Sequence, residues 1–200
     1  MDNMFCFQCE QTAGCTGCTG KAGACGKSAE AAKLRDELTG ALIGLARAAD
    51  TAPEADGRTW SLMIEGLFAT RANANFDGAA IRALTGRVRA EKARLVPDCA
   101  VCSAPCGRTS DYDLAQLWGE QEDIRGLKSR ILSGARGMAA YAHHARVLGC
   151  RDETVDRFFC KALFSVGEDW NTDELLAVVM ELGEIKLKCM ALLDRANTEA

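Results

Sequence analysis

Five of the chain's eleven cysteines, Cys6, Cys9, Cys15, Cys18 and Cys25, fall within the first 28 residues, interleaved with Gly14, Gly17, Gly20, Gly23 and Gly26. After Phe7 this leader carries no large apolar side chain. A segment with so little to bury cannot offset the entropy of ordering itself, about 1–2 kcal/mol per residue. The cysteines supply the missing force, as disulfides or as metal ligands. Disulfides belong to oxidising compartments, and the opening Met1-Asp2-Asn3-Met4 has neither the basic start nor the apolar run of a secretory leader. Eleven thiols cannot all pair within one chain, and 200 residues can bury a core without staples. Metal binding in a reducing cytoplasm is therefore the expectation.

Thiolates select zinc or iron–sulfur clusters. Cys6-x-x-Cys9 and Cys15-x-x-Cys18 read as two zinc knuckles, but the five residues between them are fewer than a zinc loop uses. One C-x-x-C followed by single cysteines in a glycine-rich wrap suits a cluster better. Glycine reaches φ > 0 and lets backbone N–H groups face the anionic sulfurs, which helps set the potential. Zinc remains the alternative.

The run Phe5-Cys6-Phe7-Gln8-Cys9-Glu10-Gln11-Thr12-Ala13-Gly14, then Gly17-Cys18-Thr19 and Cys25-Gly26-Lys27, resembles the amino terminus of the hybrid cluster (prismane) proteins, often labelled hydroxylamine reductases. By residue matching, the resemblance implies cluster ligands at Cys6, Cys9, Cys18 and Cys25, with Cys15 an extra thiol that competes with Cys18. The spacing is C-x2-C-x8-C-x6-C. In the family that it resembles, a tighter spacing goes with a [4Fe–4S] cluster and a longer middle loop with [2Fe–2S], so by that resemblance the short middle gap implies [4Fe–4S]. The last gap is one residue wider than the tight pattern, and [2Fe–2S] is the alternative. Three later stretches are also similar to the family: Cys102 to Asp113, Gly137 to Ala145, and Met190 to Asp194.

The resemblance spans essentially the whole chain but only the family's first domain, a pair of three-helix bundles. Full-length members continue into two α/β domains that supply the hybrid-cluster ligands, and this chain stops at Ala200, where those would begin. It thus implies an iron–sulfur electron-transfer module with no catalytic residues of its own and no hydroxylamine reduction alone. A redox partner protein or a separate α/β hybrid-cluster subunit would complete it, and helical surfaces are compatible with a homodimer. The alternative is an iron–sulfur sensor or a structural docking module for such a subunit.

Elsewhere the pattern is all-α: 48% apolar residues, three prolines, and apolar positions at helical spacing. Ser28 caps a first helix through Leu34, Leu38, Leu42 and Leu45 to about Asp50. Trp60, Met63, Ile64, Leu67 and Phe68 mark a second. Asp77 caps a third that stops before Pro97, with Phe76 and Ile81 as its hydrophobic staple. A short helix near Asp113 to Trp118 precedes a long one from about Glu120 to Leu148, with Gly134 and Gly137 permitting close approach. A sixth runs from Asp152 to Val166. Asn171 and Glu174 form a capping box, and Trp170 and Leu175 a staple, for the last. The division is a cluster-binding loop at 1–28, a first bundle at 29–98, and a cysteine patch with a second bundle at 99–200.

That patch, Cys99-x-x-Cys102-x-x-x-Cys106, offers three ligands for a second iron–sulfur cluster and needs a fourth from elsewhere. Cys150, Cys160 and Cys189 read as small buried hydrophobes. His143 and His144 diverge by about 100° on a helix and cannot share a ligand. Glu120 and Glu122 read as favourable charge at a helix start. Arg108 could supply charge near the thiolates. The net charge of −4 with no basic stripe argues against nucleic acid, and no apolar run reaches the ~20 residues of a membrane span.

Overall fold

The computed structural model describes residues 4–8, 17–71, 77–96 and 110–199. Within them the chain is all-α: α1 (Ala29–Thr51), α2 (Gly57–Ala69), α3 (Gly78–Leu95), α4 (Leu114–Gly119), α5 (Glu122–Val147), α6 (Glu153–Gly167) and α7 (Thr172–Glu199). The only β-type pairings among the described residues are two isolated bridges, Cys6 with Cys18 and Ala22 with Ser28. No helix there is long and apolar enough to cross a membrane.

The starts are fixed by side-chain caps. Ser28, Asp56, Asp77, Asp113 and Asp152 each accept from a backbone N–H of the first turn. For α7, Asn171 Oδ1 accepts from Glu174 N at 3.0 Å while Glu174 Oε2 accepts from Asn171 N at 2.8 Å, the expected reciprocal box. Each such cap stabilises its helix by about 1 kcal/mol. Trp170 packs partly buried at the start of α7, where Leu175 is fully buried. Phe76, the other staple residue, lies outside the described residues.

Apolar stripes then decide the packing. One continuous core joins Leu38, Leu42 and Leu45 of α1, Met63 and Leu67 of α2, Ile81 and Val88 of α3, Ile131 and Met138 of α5, Phe159 and Leu163 of α6, and Leu175 and Cys189 of α7. α1 packs on α3, α6 and α2, and α5 packs on α7, α2 and α6. The core therefore runs through helices of both the 29–98 and the 99–200 stretches.

Gly40 and Gly44 let the backbone of Ser110 to Tyr112 lie directly on α1. A Cβ on Gly40 would stand 2.1 Å from the Tyr112 carbonyl oxygen, and one on Gly44 2.9 Å from that of Ser110. The Tyr112 N–H donates to the Gly40 carbonyl at 3.1 Å. In α5 the close-approach reading holds at Gly134, where a Cβ would meet Leu182 Cδ1 at 2.6 Å. It fails at Gly137, which has nothing within 4 Å.

Glu120 departs from its expected role. Its carboxylate is the counter-ion of Lys128, whose side chain is 1% exposed, at 2.8 Å. Glu122 and Asp123 instead supply the acidic first turn of α5.

Candidate metal centre

The described part of the leader folds back on itself and onto the start of α1. Cys6 and Cys18 exchange backbone hydrogen bonds, N to O at 3.1 and 2.7 Å, and Met4 N donates to Gly20 O at 3.4 Å. Gly17 and Gly26 take φ of +104° and +83°, where an L side chain would be strained. A turn closed by Gly26 N to Gly23 O and Gly23 N to Lys27 O, both 2.8 Å, carries Cys25. Cys6 and Cys18 are buried with Met4 against Ala32, and Cys25 is partly buried. The Ala24 N–H donates to Cys18 Sγ at 3.5 Å, one amide aimed at a candidate ligand.

Beneath the thiols lies a charged floor. Lys27, 2% exposed, donates to Cys6 Sγ at 3.7 Å and to Gln8 Oε1 at 2.9 Å. The Gln8 amide turns its Nε2 to the Ala32 carbonyl at 3.5 Å and to the Asp36 carboxylate. Buried Arg136 donates to Thr70 and Thr39 hydroxyls at 3.1 and 2.9 Å, both neutral acceptors. Arg35, fully buried, donates to the Arg71 carbonyl at 3.1 Å.

The electrostatics reflect this crowding. Burial lowers the Lys27 ammonium from its usual range, against the pull of Cys6, Cys25 and Asp36. Burial likewise lowers Arg35, which Cys25 and Cys6 oppose, and Arg136, which Asp36 and Cys6 oppose. Asp36 is pushed up to about 6 by burial, restrained by its bond from Gln8 and by Arg136 and Lys27. Asp36 also lines a cleft of about 940 Å³ with Phe5, Phe7 and Tyr112. Lys27 and Arg136 are buried cations with no carboxylate at ion-pair distance among the described residues. Buried charge persists only when balanced, so this floor favours an anion above it.

An aromatic clamp holds the leader from the side. Phe5 and Phe7 ring centroids lie 5.0 and 4.9 Å from Trp118 of α4, and the Arg125 guanidinium covers the Trp118 ring at 5.0 Å.

Of the expected ligands, Cys6, Cys18 and Cys25 are described and share this corner. Cys9, the competing Cys15, the patch Cys99, Cys102 and Cys106, and Arg108 lie outside the described residues. Among the described residues, no three His, Cys, Asp or Glu side chains stand close enough to share one metal ion. Tetrahedral zinc at ~2.3 Å per sulfur needs its thiolates within about 4 Å of one another, whereas a cluster takes them at separate irons. An all-thiol donor set over a cationic floor fits an anionic iron–sulfur cluster.

Cys160 and Cys189 are buried as expected, and burial pushes both thiols up to about 12, whereas Cys150 is only partly buried. The His143 ring stacks on Phe68 at 4.7 Å and His144 meets it edge-on at 5.5 Å; burial, then His144, lowers His143. Gln8, Lys27, Asp36, Arg136 and Trp118 were not among the sequence candidates. Only Gln8 and Lys27 had a signal, Gln8 directly before Cys9 and Lys27 two residues after Cys25.

Residues 4–200 match the Prismane/CO dehydrogenase family. Over 98% of its length the chain is 39% identical to a hydroxylamine reductase of Nitratidesulfovibrio vulgaris and 38% identical to one of Desulfitobacterium hafniense strain Y51, covering 39% of each. It is 34% identical to a hydroxylamine reductase of Methanococcus vannielii, covering 98% of this chain and 40% of the relative. The chain thus spans about two fifths of the length of these curated relatives. A match along nearly the full sequence, on an all-helical fold, shows that the chain belongs to the Prismane/CO dehydrogenase family.

Proposed function

We propose that this chain is an iron–sulfur electron-transfer module, with Cys6, Cys9, Cys18 and Cys25 holding a [4Fe–4S] cluster. The observation that carries the reading is the buried Lys27 ammonium, bonded to Cys6 Sγ and to a neutral amide, with no carboxylate ion pair among the described residues. When bound, such a cluster supplies a reversible one-electron store.

The protein's own groups do the rest. The backbone pairing of Cys6 with Cys18 sets the spacing of two ligands. The Ala24 amide donates to one sulfur and Lys27 to another. Phe5, Phe7 and Trp118 wall one side with aromatic surface. The electron would pass to a redox partner or to a separate α/β subunit. The relatives' name, hydroxylamine reductase, describes proteins of which this chain matches about two fifths. Hydroxylamine reduction by this chain alone is therefore not part of the proposal.

The test is anaerobic purification with iron and sulfide counts, then Mössbauer and EPR spectroscopy. Four irons with matching sulfide and a reversible one-electron signal support the reading. Zinc in place of iron, or no metal, refutes it. Hydroxylamine turnover without a partner refutes the division of labour.

A further inference from the structure

The Lys27 side chain has an environment that ordinary packing does not explain. An ammonium costs several kcal/mol to desolvate unless compensated, and lysine is seldom fully buried without a partner. Lys27 is 2% exposed, and its bonds among the described residues go to Cys6 Sγ and Gln8 Oε1. Gln8 is itself buried and spends its amide nitrogen on the Ala32 carbonyl and the Asp36 carboxylate, so its oxygen is left to face Lys27. The relay Asp36–Gln8–Lys27 therefore fixes where the ammonium points: at the sulfur of a candidate ligand. By contrast Lys21, in the same leader, is exposed.

We propose that Lys27 is a positioning and charge-setting residue of the metal centre, a fixed positive charge held against Cys6 Sγ that favours the more negative, reduced state. The inference rests on the electron-transfer reading above. Added negative charge on a thiolate-bound centre is stabilised by a nearby cation in a poorly solvated site. Gln8 and Asp36 act through Lys27: they orient it and touch no ligand sulfur at a bonded distance among the described contacts.

The experiment is an anaerobic redox titration of the 200-residue chain, followed by EPR, on the wild type and on Lys27→Met, Lys27→Gln, Lys27→Arg and Lys21→Met. Dithionite supplies the single electron through mediator dyes, and no bond forms or breaks. Loss of the charge in Lys27→Met or Lys27→Gln is expected to lower the equilibrium constant for reduction about 100- to 300-fold, the size set by one unit charge about 5 Å away at an effective dielectric of ~20. Lys27→Arg and Lys21→Met are expected to stay within a few-fold of wild type. If Met and Gln variants fail to assemble the centre while Lys27→Arg succeeds, the requirement for charge is upheld. The inference is overturned if either neutral variant keeps both its centre and the wild-type potential, or if Lys27→Arg loses the centre along with them. Iron and sulfide counts on the wild type separate the two levels: a wild-type chain without iron refutes the electron-transfer reading itself.

Discussion

Replacing Gly40 by alanine is the sharpest test of how the platform is assembled. The new Cβ would lie 2.1 Å from the Tyr112 carbonyl oxygen, with backbone rather than a flexible side chain in its way. Ordinary carbon–oxygen contact is near 3.2 Å, so the segment must back off by about 1 Å, an overpacking that costs typically 1–3 kcal/mol. That retreat stretches the 3.1 Å bond from Tyr112 N to Gly40 O beyond hydrogen-bond range, a further loss of about 1 kcal/mol. Alanine returns about 1 kcal/mol through helix propensity. The net expectation is a destabilisation of about 1–3 kcal/mol, or roughly 2–12 °C in Tm for a chain of this size.

Gly86, exposed in α3 with nothing within 4 Å of its Cβ position, is the internal control. Gly86→Ala should raise stability by about 0.5–1 kcal/mol. Denaturant melts of the two variants under anaerobic conditions are the assay. Tyr112 leads into α4, whose Trp118 clamps Phe5 and Phe7, so Gly40→Ala should also speed loss of bound iron in air. Equal stability of Gly40→Ala and Gly86→Ala would refute the close-approach argument.

Other substitutions read the buried charges and thiols. Glu120→Gln leaves the Lys128 ammonium buried without its carboxylate and should cost about 3 kcal/mol, while Lys128→Met, which removes the burden, should cost less; urea melts decide, and the reverse order would refute the pairing. Glu91 is buried and held below the usual carboxylate range chiefly by hydrogen bonds from Arg94, with Thr59 adding a second. Its folded value is depressed, so its contribution is present above its ordinary value of 4.5 and is lost as pH falls through the folded value. Glu91→Gln should flatten the acid limb of the stability curve. Cys160 and Cys189, with thiols pushed up to about 12, should be about 10⁻⁴ ionised at pH 8 and resist iodoacetamide, while the partly exposed Cys150 reacts; site-resolved mass spectrometry checks this. Because both values are raised, each thiol's contribution to stability is complete below pH about 9 and lost as pH climbs toward 12.

The seven helices were legible because their signals are local. Ser28, Asp77, Asp152 and the Asn171–Glu174 box sit within one turn of the N–H groups they satisfy, and apolar residues three and four apart share a face whatever surrounds them. The cysteine leader pointed to metal chemistry for a similar reason: after Phe7 its composition offers little apolar surface to order it. What surrounds the thiols was not legible. Lys27, Gln8 and Asp36 bond to one another across up to 28 residues, and Arg136 joins them from α5 because that helix packs on α2, so that its guanidinium reaches Thr70 at the end of α2 and Thr39 of α1. Glu120 and Gly137 were misread for the same cause: helix-end charge and small size are sequence properties, but which neighbour faces them is not.

The sequence by itself determined the helices and their ends, because caps and periodicity act over a few residues. Only the tertiary structure decided which cations lie under Cys6, which glycine is crowded and which carboxylate answers a buried lysine. Burial and Coulomb interactions depend on distance in space, and that distance is set by packing among helices far apart in the chain.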